Sequence, residues 1–307
     1  MNKVFLLLLC LMLMTGSAIA QKSYEPNYFY AFGDMPYDEA SIPRYNRLVK
    51  DINETDPDFT IHVGDTKSGS TLCSNEFYQK TLDHFNSFNK PLIYTPGDNE
   101  WTDCDREACG EYDPIERLDI LRKTMFKNPS KSFGKHSIDL ISQSTLSPYE
   151  KYVENVMWKH KDLLISAVHI CGSSNNYQEE GDNTEFIERE SAAIDWIKRI
   201  FQKATEDNSK GIVIAFHANM FSSQDDPGYT KILAELKPLI RDFKKPVLGI
   251  YGDSHRFLIS QPLYLDGKLL TNFTALMVFG SADVNYVKIS MDMNRNNIFD
   301  IEPVYID

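Results

Sequence analysis

Asp34, Asp65, Asp98, His217, Asp253 and His255 are the residues whose types and placing most plainly allow chemistry. Each follows a short apolar or aromatic run, in the segments FGD, VGD, PGDNE, FHAN and YGDSH. The first three recur roughly 30 residues apart, the spacing of successive strand-helix units. One Gly-Asp is an ordinary turn with a helix cap. Four such exits, with His217 and His255 at two late ones, would gather carboxylates whose mutual repulsion and desolvation are costly unless cations compensate them. Carboxylate oxygens with imidazole nitrogens suit two divalent ions, and the oxygen-rich balance favours Mn, Mg or Fe over purely nitrogen-rich Zn coordination.

The elements needed to position these residues can be read from periodicity. Strand-like runs occur at 28–32, 59–63, 91–95, 163–170, 211–217 and 246–252, and helix-like stretches at 38–53, 75–88, 114–126, 184–205 and 229–243. Asp113-Pro114 followed by Glu116 has the form of an N-cap, a first-turn proline and an early acid. This alternation predicts a layered α/β fold with parallel pairing, whose strand carboxyl ends converge on a ligand. ALMVFG and NYVKISMDM, with no helix between them, are expected to be antiparallel strands completing a second sheet. No linker divides the 307 residues, so a single domain over 21–307 is expected.

Lys3, the apolar run Val4 to Met14 and Ala18-Ile19-Ala20 form a signal peptide over residues 1–20, too short to span a bilayer. The expectation is export to the periplasm or the medium, with no membrane anchor after cleavage. The net charge of −12 disfavours nucleic acid as a partner. In an oxidising compartment the four remaining cysteines are expected to form disulfides, with Cys73 paired to Cys104 and Cys109 to Cys171. Asp292 begins a stretch resembling a calcium loop, but Pro303 occupies the position that needs a bidentate Glu, so a turn between strands is expected. Asn53 and Asn272 head glycosylation sequons, relevant only in a host that glycosylates exported proteins. No G-x-S-x-G elbow supports a serine hydrolase.

In order, the segments GDMPY, GDTKSG, GDNEWTDC, HAN and GDSH resemble the calcineurin-like metallophosphoesterase superfamily, and in particular exported bacterial-type members, from about residue 28 to residue 260. The resemblance implies a four-layer αββα sandwich carrying a dinuclear centre, at which a metal-bound hydroxide hydrolyses a phosphate mono- or diester of a small phosphorylated substrate. It places one ion at Asp34, Asp65 and His255, and the other at Asp65, Asp98, His217 and Asp253, with Asp65 bridging. Either Asp98 or Asn99 would be the ligand in GDNE. Asn99 stands where the superfamily's proton-donating histidine is usual, Pro36 replaces a first-site histidine, and Asp253 replaces the first histidine of the closing motif. These departures motivate an alternative: a weakly active or inactive protein that binds metal or ligand.

Around this set, Lys67, Arg106 and Arg256 would either contact the substrate's phosphate or be solvated surface residues. Tyr37 would line the cleft or pack against it, and Glu100 would orient its neighbours. His62 and His169 are expected to be core histidines, and His136 and His160 surface residues.

Overall fold

The computed structural model describes residues 27–307; the signal peptide expected over 1–20 lies outside the described residues. Among the described residues no helix is long and apolar enough to cross a membrane. The strands are β1 (Asn27–Phe32), β2 (Thr60–His62), β3 (Leu92–Tyr94), β4 (Ile141–Ser142), β5 (Val156–His160), β6 (Leu163–Ala167), β7 (Gly211–Ala215), β8 (Val247–Tyr251), β9 (Leu258–Ser260), β10 (Tyr264–Leu265), β11 (Lys268–Leu269), β12 (Phe273–Met277), β13 (Tyr286–Met291) and β14 (Phe299–Val304). One sheet has the order β14-β13-β1-β2-β3 and a second β4-β5-β6-β7-β8-β12-β9, while β10 and β11 form a small hairpin. Within them β1-β2-β3 and β6-β7-β8-β12 are parallel.

The two sheets face each other because successive strand residues point to opposite sides. Val213 and Ala215 of β7, with Leu248 and Ile250 of β8, enter the core shared with Phe29, Ala31 and Ile61 of the other sheet. Their neighbours Ile212, Ile214 and Val247 turn outward onto Trp196, Ile197, Ile200, Leu233 and Leu236. The latter come from helices Thr184–Glu206 and Pro227–Phe243. On the far side of the first sheet, helix Ile42–Glu54 buries Tyr45, Leu48, Val49 and Ile52, the i, i+3, i+4, i+7 stripe of an amphipathic helix. Helix Asn75–Phe85 packs Phe85 against His62 and Tyr94 of that sheet. Helix Pro114–Met125 is capped by Asp113, whose side chain accepts from the Glu116 N–H at 2.9 Å.

The C-terminal segments follow expectation in part: β12 is antiparallel to its edge neighbour β9, and β13 to β1 and β14. β12 pairs in parallel with β8 rather than antiparallel, because β9 and the β10–β11 hairpin return the chain to the start of the sheet and so replace a crossover helix. β13 and β14 belong to the first sheet, where β13 runs antiparallel to β1. The residues from Asp292 form the turn between β13 and β14.

Candidate metal centre

The carboxyl ends of β1, β2 and β3 deliver Asp34, Asp65 and Asp98, and those of β7 and β8 deliver His217, Asp253 and His255 to the same rim. Asp34, Asp65 and His217 offer one ligand atom each within 4.8 Å of one another, and so do Asp98, His217 and Asp253. His217 therefore stands in both groups, whereas His255 approaches through Asp34, with Nε2 3.6 Å from Oδ1. The sheets are pinned together here: the Asp253 N–H donates to Asp34 Oδ1 at 2.9 Å. Asp34, Asp65, Asp253 and His255 all have positive φ, of 55°, 56°, 72° and 55°. Such backbone is uncommon outside glycine, is best tolerated by Asn, Asp and His, and concentrates at functional sites.

Close approach of the loops depends on glycine at two places. A Cβ on Gly97 would lie 2.0 Å from Asp65 Oδ1, and one on Gly172 would lie 2.4 Å from Asp98 Oδ1. Glu100 clamps the two loops. Its Oε1 accepts from the Thr66 N–H at 2.5 Å and the Thr66 hydroxyl at 2.9 Å, while Oε2 accepts from Asp65 N–H at 3.2 Å and Gly97 N–H at 2.9 Å. This buried carboxylate orients backbone, as expected.

His217 Nδ1 lies 2.8 Å from the Val63 carbonyl oxygen, which can only accept, so Nδ1 carries a proton and Nε2 is the ring nitrogen turned to the cluster. That Nε2, Asp34 Oδ2 and Asp98 Oδ1 are buried with no hydrogen-bond partner among the described residues. Nε2 comes 2.9 Å from Asp98 Oδ1, without hydrogen-bond alignment. Burial raises the Asp34 carboxyl to about 7, against the pull of His217. Burial also lifts Asp65 well above the usual carboxylate range, opposed by His217 and reinforced by the charges of Asp98, Glu100 and Asp34. Burial works against an imidazolium at His217, but the surrounding Asp65, Asp98 and Asp34 carboxylates overcome it and raise the imidazole well above its ordinary value. Converging unpartnered donor atoms, a preset tautomer and carboxylates that resist ionisation together match what divalent cations satisfy.

Asp98 shares a ligand group with His217 and Asp253, while Asn99 reaches the cluster through Asp65. The Asn99 backbone N–H donates to Asp65 Oδ1 at 3.0 Å, and its side-chain amide donates to Asp65 Oδ2 and to the Tyr37 hydroxyl, the latter at 3.1 Å. Tyr37 donates in turn to Asp65 Oδ2 at 2.7 Å, and its oxygen lies 3.2 Å from His255 Nε2. Arg106 is largely exposed and pairs with Asp103 at 2.8 Å; Arg256 is exposed and makes no ion pair among the described residues. Lys67 is not a surface residue. It is 1% exposed, its ammonium donates to the Ser68 carbonyl at 3.2 Å, and burial lowers its pKa.

Cys73 and Cys104 are joined by a disulfide across the loops that leave β2 and β3. The expected Cys109–Cys171 bridge is absent, and both are buried free thiols. Cys109 packs with Cys73 and Cys104, held by the Cys73 N–H on its carbonyl at 3.0 Å, whereas Cys171 leaves the second sheet and packs with Trp101 and Leu118.

His62 and His169 lie in the core. Glu154, fully buried, lies 2.8 Å from His169 Nδ1, and His169 Nε2 accepts from the Trp101 indole N–H at 3.2 Å. His136 is exposed; His160 is only 20% exposed, because it faces Asp58 at 3.0 Å. Sequence reasoning missed two contributors. The Ser173 hydroxyl lies 3.0 Å from both Asp98 Oδ2 and Asp103 Oδ1, and the Asn219 N–H donates to Asp253 Oδ2 at 2.8 Å. Ser173 follows β6, a strand of the parallel set, and that position alone signalled a place on the rim.

Residues 28–257 match the family model described as calcineurin-like phosphoesterase. The chain belongs to that family. Solved structures similar to this phosphoesterase-family chain include a dimetal phosphatase from Danio rerio, with a TM-score of 0.53, 10% identity and coverage of 92% of this chain and 97% of that one. A purple acid phosphatase from yellow lupin (Lupinus luteus) seeds has a TM-score of 0.50 and 14% identity; the alignment covers 92% of this chain but 54% of the lupin protein. GAP50, the anchor in the inner membrane complex of Plasmodium, has a TM-score of 0.50, 12% identity and coverage of 92% and 89%. At these identities the likeness is one of fold. No curated protein matches the chain.

Proposed function

We propose that this chain is an exported, metal-dependent phosphoesterase that hydrolyses a phosphate mono- or diester of a small molecule. The observation that carries the reading is the convergence of Asp34 Oδ2, Asp98 Oδ1 and His217 Nε2, all buried and without a hydrogen-bond partner among the described residues, in a chain of this family. Asp34, Asp65, Asp98, His217, Asp253 and His255 would hold two divalent ions, with Asp65 between them. Such ions supply Lewis-acid polarisation of the phosphoryl oxygens and a water acidic enough to be a nucleophile near neutral pH. Asn99 and Tyr37 keep Asp65 oriented through three donors, and both side chains are neutral. Neither offers an imidazole's proton transfer near neutral pH, and loss of general-acid help costs about two to four orders of magnitude when the leaving group needs a proton.

Asn99 favours a second reading, in which the chain binds metal or ligand but does not turn over. Among proteins of this fold, one is a dimetal phosphatase and another an anchor. Metal analysis of the purified protein, with hydrolysis of an activated aryl phosphate and an aryl diester under Mn, Mg, Zn and Fe, separates the two. The phosphoesterase reading expects bound metal and turnover that Asp65→Ala abolishes. Bound metal without Asp65-dependent turnover would establish the second. Cell fractionation, with N-terminal sequencing that finds Gln21 first, tests export.

A further inference from the structure

Just beyond the ligand cluster, two residues past His255, the Phe257 ring stacks on Phe279 with centroids 5.0 Å and planes 11° apart. Tyr305 meets Phe279 edge-on at 5.7 Å. Phe279 is buried, Phe257 only partly so, and Tyr305 is 66% exposed. Topology puts all three on the metal rim. Phe257 follows β8, and Phe279 follows β12, which is parallel to β8. β14 is antiparallel to β13, itself antiparallel to β1, so Tyr305 emerges where β1 ends, two strands along, or roughly 10 Å. The backbone beside Phe279 is tied to the cluster through the Ser281 N–H, which donates to the Asp34 carbonyl at 2.8 Å.

A chemical observation points the same way. With Asn99 in place of a proton donor, the ester cleaved fastest is one whose alcohol departs as its anion, and phenolic alcohols do so far more readily than alkyl ones. Such an alcohol is also aromatic, and aromatic rings pack favourably against aromatic side chains in stacked or edge-on geometry. We infer that the substrate is a phosphate ester of a phenolic alcohol, whose ring packs on the Phe257–Tyr305 platform while its phosphate lies over the ligand cluster. This rests on the phosphoesterase reading. In the reaction a water oxygen forms the new bond to phosphorus, the aryl O–P bond breaks, and its electron pair leaves with the aryl oxide, which takes a proton from solvent afterwards.

The test compares phenyl phosphate with a fluorinated alkyl phosphate whose alcohol is about as acidic as phenol, using metal-loaded full-length protein. The wild type should show a lower KM for the phenyl ester. Tyr305→Ala and Phe257→Leu should each raise that KM about fivefold, leaving kcat and the alkyl ester's KM unchanged. Tyr305 is exposed, so its truncation does not threaten folding. If both esters have the same KM, or if the substitutions affect them equally, the platform is overturned while the phosphoesterase reading stands. If neither ester is hydrolysed, and an aryl diester is not either, the phosphoesterase reading falls, and calorimetric binding of phenylphosphonate against methylphosphonate decides the platform. Tighter phenylphosphonate binding that Tyr305→Ala abolishes supports it, and equal binding overturns it.

Discussion

Replacing Glu100 by Gln keeps the side chain's shape and changes one oxygen into an NH2 group. Each carboxylate oxygen now accepts two hydrogen bonds, so whichever way the amide turns, its NH2 faces two donors. The less costly orientation puts NH2 toward Thr66, whose hydroxyl can rotate to accept; the Thr66 N–H is then orphaned in a buried site, costing about 1–3 kcal/mol. The remaining bonds to Asp65 and Gly97 lose their charged acceptor, worth about 1 kcal/mol each. The sum is about 3–5 kcal/mol, or a fall in Tm of about 10 °C for a chain of this size. Removing a negative charge beside Asp65 would offset part of this in the metal-free protein, so the measurement belongs in saturating Mn, by calorimetry or circular dichroism. Metal affinity should fall as well, since Glu100 fixes the Asp65 backbone. A Tm within 2 °C of wild type, given the roughly 2–4 °C expected per kcal/mol, would refute the clamp.

Three further outcomes are expected. Cys73→Ser should cost about 4 kcal/mol in denaturant, the closure entropy of a loop spanning 31 residues, and peptide mapping of the wild type should recover Cys73 joined to Cys104 with Cys109 and Cys171 alkylatable after unfolding. His169 is held neutral, its pKa lowered to about 4 by burial despite Glu154, and burial likewise lowers His62 to about 3. The unfolded chain therefore binds protons that the folded one refuses, and the associated stability is complete above about pH 6.5 and is lost as pH falls toward 4; His169→Gln should flatten that slope in urea titrations at pH 7 and pH 5. Chelation should lower Tm reversibly, by an amount corresponding to about 2.7 kcal/mol per site when the ion had been present at 100 times its Kd, whereas a Tm indifferent to chelator and to added Mn, Mg, Zn and Fe would contradict a metal centre.

Much of this architecture was legible because apolar runs and glycine exits are local signals. Helix 75–88 is observed as Asn75–Phe85 and helix 229–243 as Pro227–Phe243, and the cap at Asp113 has the expected bond. What failed was non-local. ALMVFG contains nothing to say that a hairpin, rather than a helix, brings it back parallel to β8, and NYVKISMDM nothing to say that it crosses to the other sheet. Lys67 looked like a charged loop residue, yet the disulfide-bound loops fold over it. Ser173 has no glycine-aspartate signature, and its hydrogen bonds come from a run of left-handed residues at 173–176 that no pattern in CGSSNN announced.

The left-handed backbone at Asp34, Asp65, Asp253 and His255 also limits how such a site can diversify. A mutation there must satisfy the main chain before it can serve a cation, and β-branched or bulky residues fail the first requirement. Asp and His pass it equally. An exchange of Asp for His at such a position therefore suits the same backbone while shifting a donor set from nitrogen toward oxygen. Metal preference in this lineage can drift along a short, backbone-neutral alphabet, one substitution at a time, without any intermediate having to refold.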